Sequence, residues 1–223
     1  YLFQPVVFYQ LWWVLSAYLF IKYINTPDKN YLYLLGMVIG IGLLTKYTMA
    51  FFAGALIAGL LLTKERKVLW SKHIAFAVLI AIAIFLPNIL WQFKHHLPLM
   101  THMKNLREEQ LNYIKPLDFI RQQLRVNGIA LFVWLPGLMA LLFSARLSRF
   151  RFVAFAFIIV FVFLLEMNGK EYYLFGAYPM LFAAGGYCFE TWIKPKYTIL
   201  RVAAILVLAF TNVIFLPLAL PLL

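Results

Sequence analysis

Hydrophobic residues in this chain come in long runs, and the polar stretches between the runs carry most of the charge. A run of about 20 apolar residues is long enough to cross the ~30 Å hydrocarbon core of a bilayer as a helix. A spanning β-strand would alternate apolar and polar positions, and the run at 152–165 shows no alternation. The pattern therefore predicts an all-α fold, a polytopic transmembrane helix bundle.

We predict about eight membrane segments. The second and third could instead form one very long helix, but that helix would bury Lys46 near the bilayer centre, which costs roughly 2.5–3.5 kcal/mol. Two short helices with a break around Thr45, Lys46 and Tyr47 put the lysine at a membrane surface. The predicted segments are 6–23, 31–44, 48–63, 73–93, 126–144, 152–167, 172–193 and 199–220.

The basic residues divide unequally between the two sides that these segments define. Twelve of the 20 Lys and Arg residues fall in four short turns on one side, and six of the other eight fall in the long stretch 94–125. Basic residues concentrate in short cytoplasmic loops, so we place the first side in the cytoplasm. That side has Lys22, Lys29, Lys64, Arg66, Lys67, Lys72, Arg146, Arg149, Arg151, Lys194, Lys196 and Arg201.

Amino-acid composition further narrows the class of protein to which this chain can belong. The chain is 65% hydrophobic, and its net charge of +12 is split among turns that flank helices, so membrane orientation explains the charge without a nucleic-acid partner. The single cysteine, Cys188, excludes a disulfide framework and a cysteine-based metal site. The chain starts at Tyr1 close to an apolar run, and we expect it to be part of a larger protein.

The stretch 94–125 is too long for a simple connector, and loops of this length usually carry function or their own structure. Pro116 suits the first turn of a helix, and Leu117, Ile120 and Leu124 repeat at helical spacing. We predict an amphipathic helix that lies on the membrane surface, within a loop that faces away from the cytoplasm.

Two polar clusters lie at ends of apolar runs on the outward side. Lys46 is either a lysine that marks a helix end or a cation that faces an anionic group. Pro87 kinks the fourth segment, and Asn88 and Gln92 share one helix face, either for helix packing or to line a cavity. His96 belongs to a histidine pair, but no acidic or histidine partner at zinc spacing completes a metal site.

Two further clusters lie in the outward loops. Arg107 and Glu108 belong to a charged run that is either a solvated surface or a clamp for phosphate oxygens. Glu166 ends an apolar run and precedes the donor-rich turn from Asn168 to Tyr173. A carboxylate at membrane depth is a functional candidate, although pairing with Lys170 would give it a structural role.

Four stretches, in this order, carry a family resemblance: Gln10-Leu-Trp-Trp-Val-Leu-Ser-Ala-Tyr-Leu, Gly40-Ile-Gly-Leu-Leu-Thr-Lys-Tyr-Thr, Phe85-Leu-Pro-Asn-Ile-Leu-Trp-Gln, and Gly169-Lys-Glu-Tyr-Tyr-Leu with Tyr178-Pro-Met-Leu. Over most of its length, to about residue 190, the chain resembles the family 39 glycosyltransferases of bacterial membranes. These include relatives of the protein O-mannosyltransferases and the aminoarabinose transferase that acts on lipid A.

The resemblance implies a GT-C-like enzyme with an outward cavity, in the bacterial inner (plasma) membrane. It implies transfer of a hexose or pentose from a polyprenyl-phosphate donor to a lipid, glycan or protein acceptor, among membrane lipids and without nucleic acid. The family's catalytic acidic residue lies in a loop before this chain begins. We therefore expect 1–223 to be part of one N-terminally truncated transmembrane domain that is inactive alone.

The resemblance also implies roles for particular residues. The donor phosphate would be bound by Lys46, Arg107 and Lys170, with Tyr172 or Tyr173 adding a hydroxyl. No cofactor is implied, and a divalent metal is left open. The side chains that we predict to line the cavity are Asn88, Gln92, His96, Glu108 and Glu166.

The main alternative is a fragment of a secondary transporter or flippase for an anionic or lipid-linked substrate. Transporter sites usually lie near the bilayer midplane between repeats, whereas here the polar groups lie at one surface and no repeat is visible. A non-enzymatic scaffold subunit would explain the helices but would leave the long outward loop without a role.

Overall fold

The computed structural model describes residues 6–193 and 195–219; Lys194 and Leu220, the last residue of the predicted eighth segment, lie outside them. The described residues form ten α-helices joined by turns and short 3-10 helices, and they include no strand. The predicted all-α fold is confirmed. The α-helices are α1 Val6–Asn25, α2 Lys29–Thr45, α3 Thr48–Leu61, α4 Lys72–Lys94, α5 Pro98–Glu109, α6 Pro116–Asn127, α7 Leu131–Phe143, α8 Arg151–Glu166, α9 Tyr178–Trp192 and α10 Thr198–Ala219.

Several of these helices are long and apolar enough to cross a membrane. Within the described residues there are four, and a fifth if Thr48–Leu61 and Lys64–Trp70, which meet at 120°, count as one bent span. Helix α2 (Lys29–Thr45) and the stretch Thr198–Thr211 of α10 are apolar but shorter. The four helices confirm a polytopic helical membrane protein, while the number of eight segments stays a prediction. They are Val7–Asn25, Lys72–Lys94, Pro116–Phe143 and Ser148–Glu166.

The break that we predicted around Lys46 is present. Helix α2 ends at Thr45, and Lys46 has an extended backbone (φ −160°, ψ 129°) whose N–H donates to the carbonyl of Gly42. Helix α3 begins two residues later, at Thr48. Lys46 therefore lies in a turn between helices and not within a span.

Two predicted helix boundaries were wrong. The seventh segment, predicted to start at residue 172, begins with the 3-10 helix Glu171–Ala177, and α9 starts only at Tyr178. Pro179 has no N–H to donate, so it fits in the first turn of α9 and not further along a helix. The fifth segment, predicted from residue 126, is interrupted at Gly128, whose φ of +45° other residues rarely adopt.

The long loop contains two α-helices instead of the single one that we predicted. Helix α6 forms where the amphipathic helix was predicted, and its predicted apolar face of Leu117, Ile120 and Leu124 is exposed in the protein. Its position on the membrane surface stays a prediction, because α6 and α7 together also form the stretch Pro116–Phe143 that is long and apolar enough to span a membrane. Helix α5 was not predicted. It starts at Pro98 after two non-glycine residues with positive φ, His96 (60°) and Leu97 (55°).

Small residues bring pairs of helices close together. A Cβ atom on Gly36 of α2 would lie 2.3 Å from the carbonyl oxygen of Ala77 in α4. One on Gly137 of α7 would lie 2.1 Å from the carbonyl oxygen of Leu181 in α9. In a membrane, such backbone contacts replace the hydrophobic driving force that water supplies to soluble proteins.

The bundle has two chemically different ends. At one end Arg149 donates a hydrogen bond to the carbonyl of Ile24 (2.5 Å) and pairs with Glu65 at 3.4 Å, which joins the last turn of α1 and the 3-10 helix after α3 to the turn before α8. The other end contains Lys46, the start of α1 and the end of α8. Which end faces the cytoplasm stays a prediction.

Candidate functional site

Three tyrosine rings surround the ammonium group of Lys46. We call Tyr9, Tyr172 and Tyr173 the tyrosine cage. A cation within about 6 Å of an aromatic centroid is attracted by the negative face of the ring. The Lys46 nitrogen lies 4.7, 4.8 and 4.6 Å from the centroids of Tyr9, Tyr172 and Tyr173.

The tyrosine cage is assembled from distant parts of the chain. Tyr9 is fully buried on α1, and its hydroxyl donates a hydrogen bond to the carbonyl of Tyr172. The rings of Tyr172 and Tyr173 meet edge to face with centroids 4.8 Å apart. Helix α8 ends just before them, where Asn168 adopts φ 52° and the N–H of Gly169 bonds to the carbonyl of Leu164 (2.7 Å). This left-handed cap turns the chain back toward Lys46.

The cage changes the acid–base behaviour of its members. Burial lowers the pKa of Lys46 to about 8, and the positive charge of Lys170 adds to the shift. Burial raises the pKa of Tyr173, and the nearby Tyr172 and Glu171 add to that shift. Tyr173 therefore stays neutral near pH 7, whereas Lys46 is mostly protonated but would lose its proton with only a modest rise in pH.

Lys170 lies near Lys46 but has its own partner. Its ammonium group donates a hydrogen bond to the side-chain oxygen of Gln110, which caps the end of α5. The bond connects the turn after α8 to the long loop. Two cations near each other make the electrostatic potential at this end of the bundle positive.

A cavity of about 380 Å³ lies beside the cage, and Tyr173 contributes to both. Arg107 of α5 lines the cavity and is exposed. Of the predicted phosphate-binding residues, Lys46, Lys170, Tyr172 and Tyr173 thus lie together, and Arg107 lines the adjoining cavity. The apolar part of the lining consists of Phe51, Met103, Leu111, Phe163, Leu164 and Met167.

Asn88 and Gln92 support the turn that contains Lys46. The hydroxyl of Tyr47 donates to the Asn88 side-chain oxygen (2.8 Å) and accepts from the Gln92 amide (2.9 Å). The Gln92 oxygen also accepts from the N–H of Leu99, in the first turn of α5 (3.1 Å). The two polar residues therefore connect α4 to the Lys46 turn and to the start of α5.

The remaining predicted cavity residues do not contact the cage. His96 is exposed in the turn between α4 and α5. Glu108 is exposed and lies 4.0 Å from Lys104, one turn earlier on α5, at the limit of an ion pair. Glu166 is exposed in the last residue of α8.

Sequence reasoning missed four residues of this region: Tyr9, Tyr47, Gln110 and Gln123. The amide of Gln123, 2% exposed, donates to the carbonyl of Glu171 (3.0 Å), and its side-chain oxygen accepts from Tyr178 (2.9 Å). Gln123 thereby fixes α6 against the 3-10 helix of the cage. The sequence offers a signal for two of them: Tyr9 directly precedes one quoted family stretch, and Tyr47 lies within another, directly after Lys46.

The first part of the chain is similar to a known protein family. Residues 1–91 match the family described as dolichyl-phosphate-mannose-protein mannosyltransferase. No curated protein and no solved structure matches this chain significantly. The match extends from the start of the chain through most of α4, so it includes Tyr9, Lys46 and Asn88, and it confirms the resemblance to family 39 glycosyltransferases. The matched part of the chain is thus similar to a membrane glycosyltransferase family of the GT-C type.

Proposed function

We propose that this chain holds the donor-phosphate site of a membrane glycosyltransferase that takes a sugar from a polyprenyl-phosphate donor. The observation that carries the proposal is the position of Lys46: a half-buried cation in a helix break, beside a second cation and an apolar cavity. The acceptor is a lipid, glycan or protein on the outer face of the membrane, and the sugar is a hexose or a pentose.

The chemistry of the donor fits the charges at this end of the bundle. When the glycosidic bond breaks, the polyprenyl phosphate leaves with an additional negative charge. Lys46 and Lys170 would stabilise that charge, and a phenol of Tyr172 or Tyr173 would donate a hydrogen bond to a phosphate oxygen. A bound phosphate would also favour the protonated form of Lys46, because opposite charge offsets the cost of its burial.

The cavity suits the other end of the same donor. Its apolar side chains from α3, α5 and α8 would contact the first isoprene units, while Arg107 would reach the phosphate with two parallel donors. To bind a lipid of this kind, a site needs an apolar channel next to cationic groups. In this chain the apolar cavity adjoins the cage that holds Lys46. The transfer also requires a general base that takes the proton from the acceptor hydroxyl.

Binding of farnesyl phosphate, a short polyprenyl phosphate, to the 223-residue chain in detergent tests the proposal. Lys46→Ala, Arg107→Ala and Lys170→Ala should each weaken binding, because each removes a charge-assisted contact. Such contacts contribute roughly 1.5–3 kcal/mol, which corresponds to about ten- to hundredfold in affinity. Lys67→Ala, at the opposite end of the bundle, is the matched control and should bind like the wild type.

Equal affinity of all three variants and the wild type would exclude a shared phosphate site, provided that thermal unfolding shows each variant to be folded. Farnesol, which lacks the phosphate, should bind at least tenfold more weakly on the same grounds. Membranes from cells whose own gene carries Lys170→Ala should transfer sugar from the polyprenyl-phosphate donor about ten- to hundredfold more slowly than wild-type membranes. Binding that depends on the cations without any sugar transfer would point to the flippase or transporter alternative.

A further inference from the structure

We propose that Tyr9 is a positioning residue for the donor-phosphate site, holding the Lys46 ammonium group between its own ring and those of Tyr172 and Tyr173. This inference rests on the proposed function, since it assigns a role within the same site. Tyr9 lies outside the residues that the sequence suggested for phosphate binding, and it belongs to a different helix from all of them.

Tyr9 contacts both halves of the site at once. Its ring centroid lies 4.7 Å from the Lys46 nitrogen, on the turn between α2 and α3. Its hydroxyl donates to the carbonyl of Tyr172, in the 3-10 helix after α8. Helix α1 therefore supplies the only described side chain that contacts the lysine with its ring and the opposite wall of the cage with its hydroxyl.

The position of Tyr9 is itself set by a buried aromatic stack. Its ring meets Trp13 edge to face at 5.5 Å, and Trp13 stacks on Phe52 of α3 at 4.4 Å with the ring planes only 5° apart. Trp13 also packs against Gly176, where a Cβ atom would lie 2.8 Å from the indole. The stack thus fixes Tyr9 relative to α3, which starts beside Lys46, and relative to the 3-10 helix that carries Tyr172.

The three aromatic rings of the cage favour the charged form of Lys46. The groups that face its nitrogen are the three cage tyrosines, and the charge that acts on it is that of Lys170, which repels it. Burial and Lys170 both lower the pKa of Lys46, whereas an aromatic face stabilises the cation. Removal of one ring should therefore shift Lys46 toward its neutral form and leave its side chain free to move away from Tyr172.

Two substitutions separate the ring of Tyr9 from its hydroxyl. Tyr9→Leu removes both, and Tyr9→Phe keeps the ring. The pKa of Lys46 is read without ligand, from the pH dependence of its acetylation followed by mass spectrometry. We expect this pKa to fall below its wild-type value of about 8 in Tyr9→Leu. In Tyr9→Phe, which keeps the ring, it should remain at the wild-type value. Tyr18→Leu, on an exposed position of the same helix, is the matched control.

Affinity for farnesyl phosphate should follow the same order. At about pH 7.5 we expect binding to be about three- to tenfold weaker in Tyr9→Leu, the size of one lost cation–π contact, and less affected in Tyr9→Phe. Tyr9→Met, which fills the space with a flexible side chain, should behave like Tyr9→Leu and replaces it if the leucine variant does not fold.

An unchanged Lys46 pKa in both Tyr9→Leu and Tyr9→Met would overturn the positioning role. The same loss of affinity in Tyr9→Phe as in Tyr9→Leu would also overturn it, because the effect would then come from the lost hydroxyl and not from the ring that faces Lys46. Failure of the wild-type chain to bind farnesyl phosphate would count against the proposed function alone, since the pKa comparison uses no ligand.

Discussion

Lys46 is held in a way that is costly for a purely structural residue. Burial of a charged amine is unfavourable, and the low pKa of Lys46 expresses that cost. The three rings of the cage offset part of it, but a neutral residue at this turn would avoid it altogether. The shifted pKa, the specific set of partners and the neighbouring cavity together make Lys46 a candidate for a binding or catalytic group.

The pH dependence of binding follows from the pKa of Lys46. In the free protein the amine is charged below about pH 8 and neutral above it, so affinity for farnesyl phosphate should fall as the pH rises through that value. The expected decrease is roughly tenfold between about pH 7.5 and about pH 9, where the phosphate is already doubly charged. Titration calorimetry at each pH measures it.

Lys46→Arg is the control for this pH profile, because a guanidinium stays charged throughout the range. Its affinity for farnesyl phosphate should be nearly constant between the two pH values. A wild-type profile that is equally flat would mean that Lys46 does not contact the phosphate, or that its pKa in the free protein is well above 8.

Gln123 gives a second prediction at the scale of a single residue. Gln123→Leu keeps the buried volume but leaves the hydroxyl of Tyr178 and the carbonyl of Glu171 without their partner. We expect a loss of about 1–3 kcal/mol in stability, seen as a lower unfolding temperature in detergent. Gln122→Leu, a neighbour on α6 that is partly exposed, is the control, and an equal effect of both substitutions would contradict the role of Gln123.

At the scale of the helices, the sequence pattern was informative where apolar runs or proline set the boundary. The break at Lys46 and the start of α6 at Pro116 were both predicted, the first from the cost of a buried charge and the second from the proline and the helical spacing of Leu117, Ile120 and Leu124. Helix α5 was missed because its charged run, Lys104 to Glu109, is compatible with either a helix or a solvated loop.

Close packing of α2 on α4 leads to a prediction about glycine. Gly36→Ala would place a methyl group against the carbonyl of Ala77, which should cost about 1–3 kcal/mol of stability by overpacking. Gly54→Ala on α3 meets nothing within 4 Å and should be neutral or slightly stabilising, since alanine favours helix by about 0.5–1 kcal/mol. The unfolding temperatures of the two variants in the same detergent provide the comparison.

Because both substitutions add one methyl group to a helical glycine, helix propensity cancels in the comparison. A Gly36→Ala protein as stable as Gly54→Ala would show that α2 and α4 separate readily. The contact between these helices would then contribute little to the bundle.

At the scale of the whole molecule, the orientation of the bundle is the main open prediction. In a chain with Cys188 replaced by alanine, a cysteine at Asn112 in the long loop should react with a membrane-impermeant maleimide once the outer barrier of the cell is open but while the inner membrane is intact. A cysteine at Lys67, at the opposite end of the bundle, should react only after the inner membrane is broken. The reverse labelling pattern would show that the bundle has the opposite orientation in the membrane.

The sequence by itself determined the class of the protein, an all-α membrane protein, and the helix break at Lys46. Both depend on properties that are local in the chain: the length of apolar runs and the cost of a charge in hydrocarbon. Lys46, Lys170, Tyr172 and Tyr173 could be chosen as candidates for the same reason, since each lies in a short polar turn. The assignment of the two basic sets to opposite sides of the membrane, from the density of Lys and Arg in short turns, stays a prediction.

Only the tertiary structure decided that Lys46 sits among three tyrosines and that α1 supplies one of them. Tyr9 lies within an apolar run, where the helical pattern makes it one aromatic residue among several. Its contacts with Lys46 and Tyr172 depend on how α1 packs beside the α2–α3 turn and the end of α8. Packing of this kind follows from side-chain shape across distant segments, and the periodicity of one segment does not encode it.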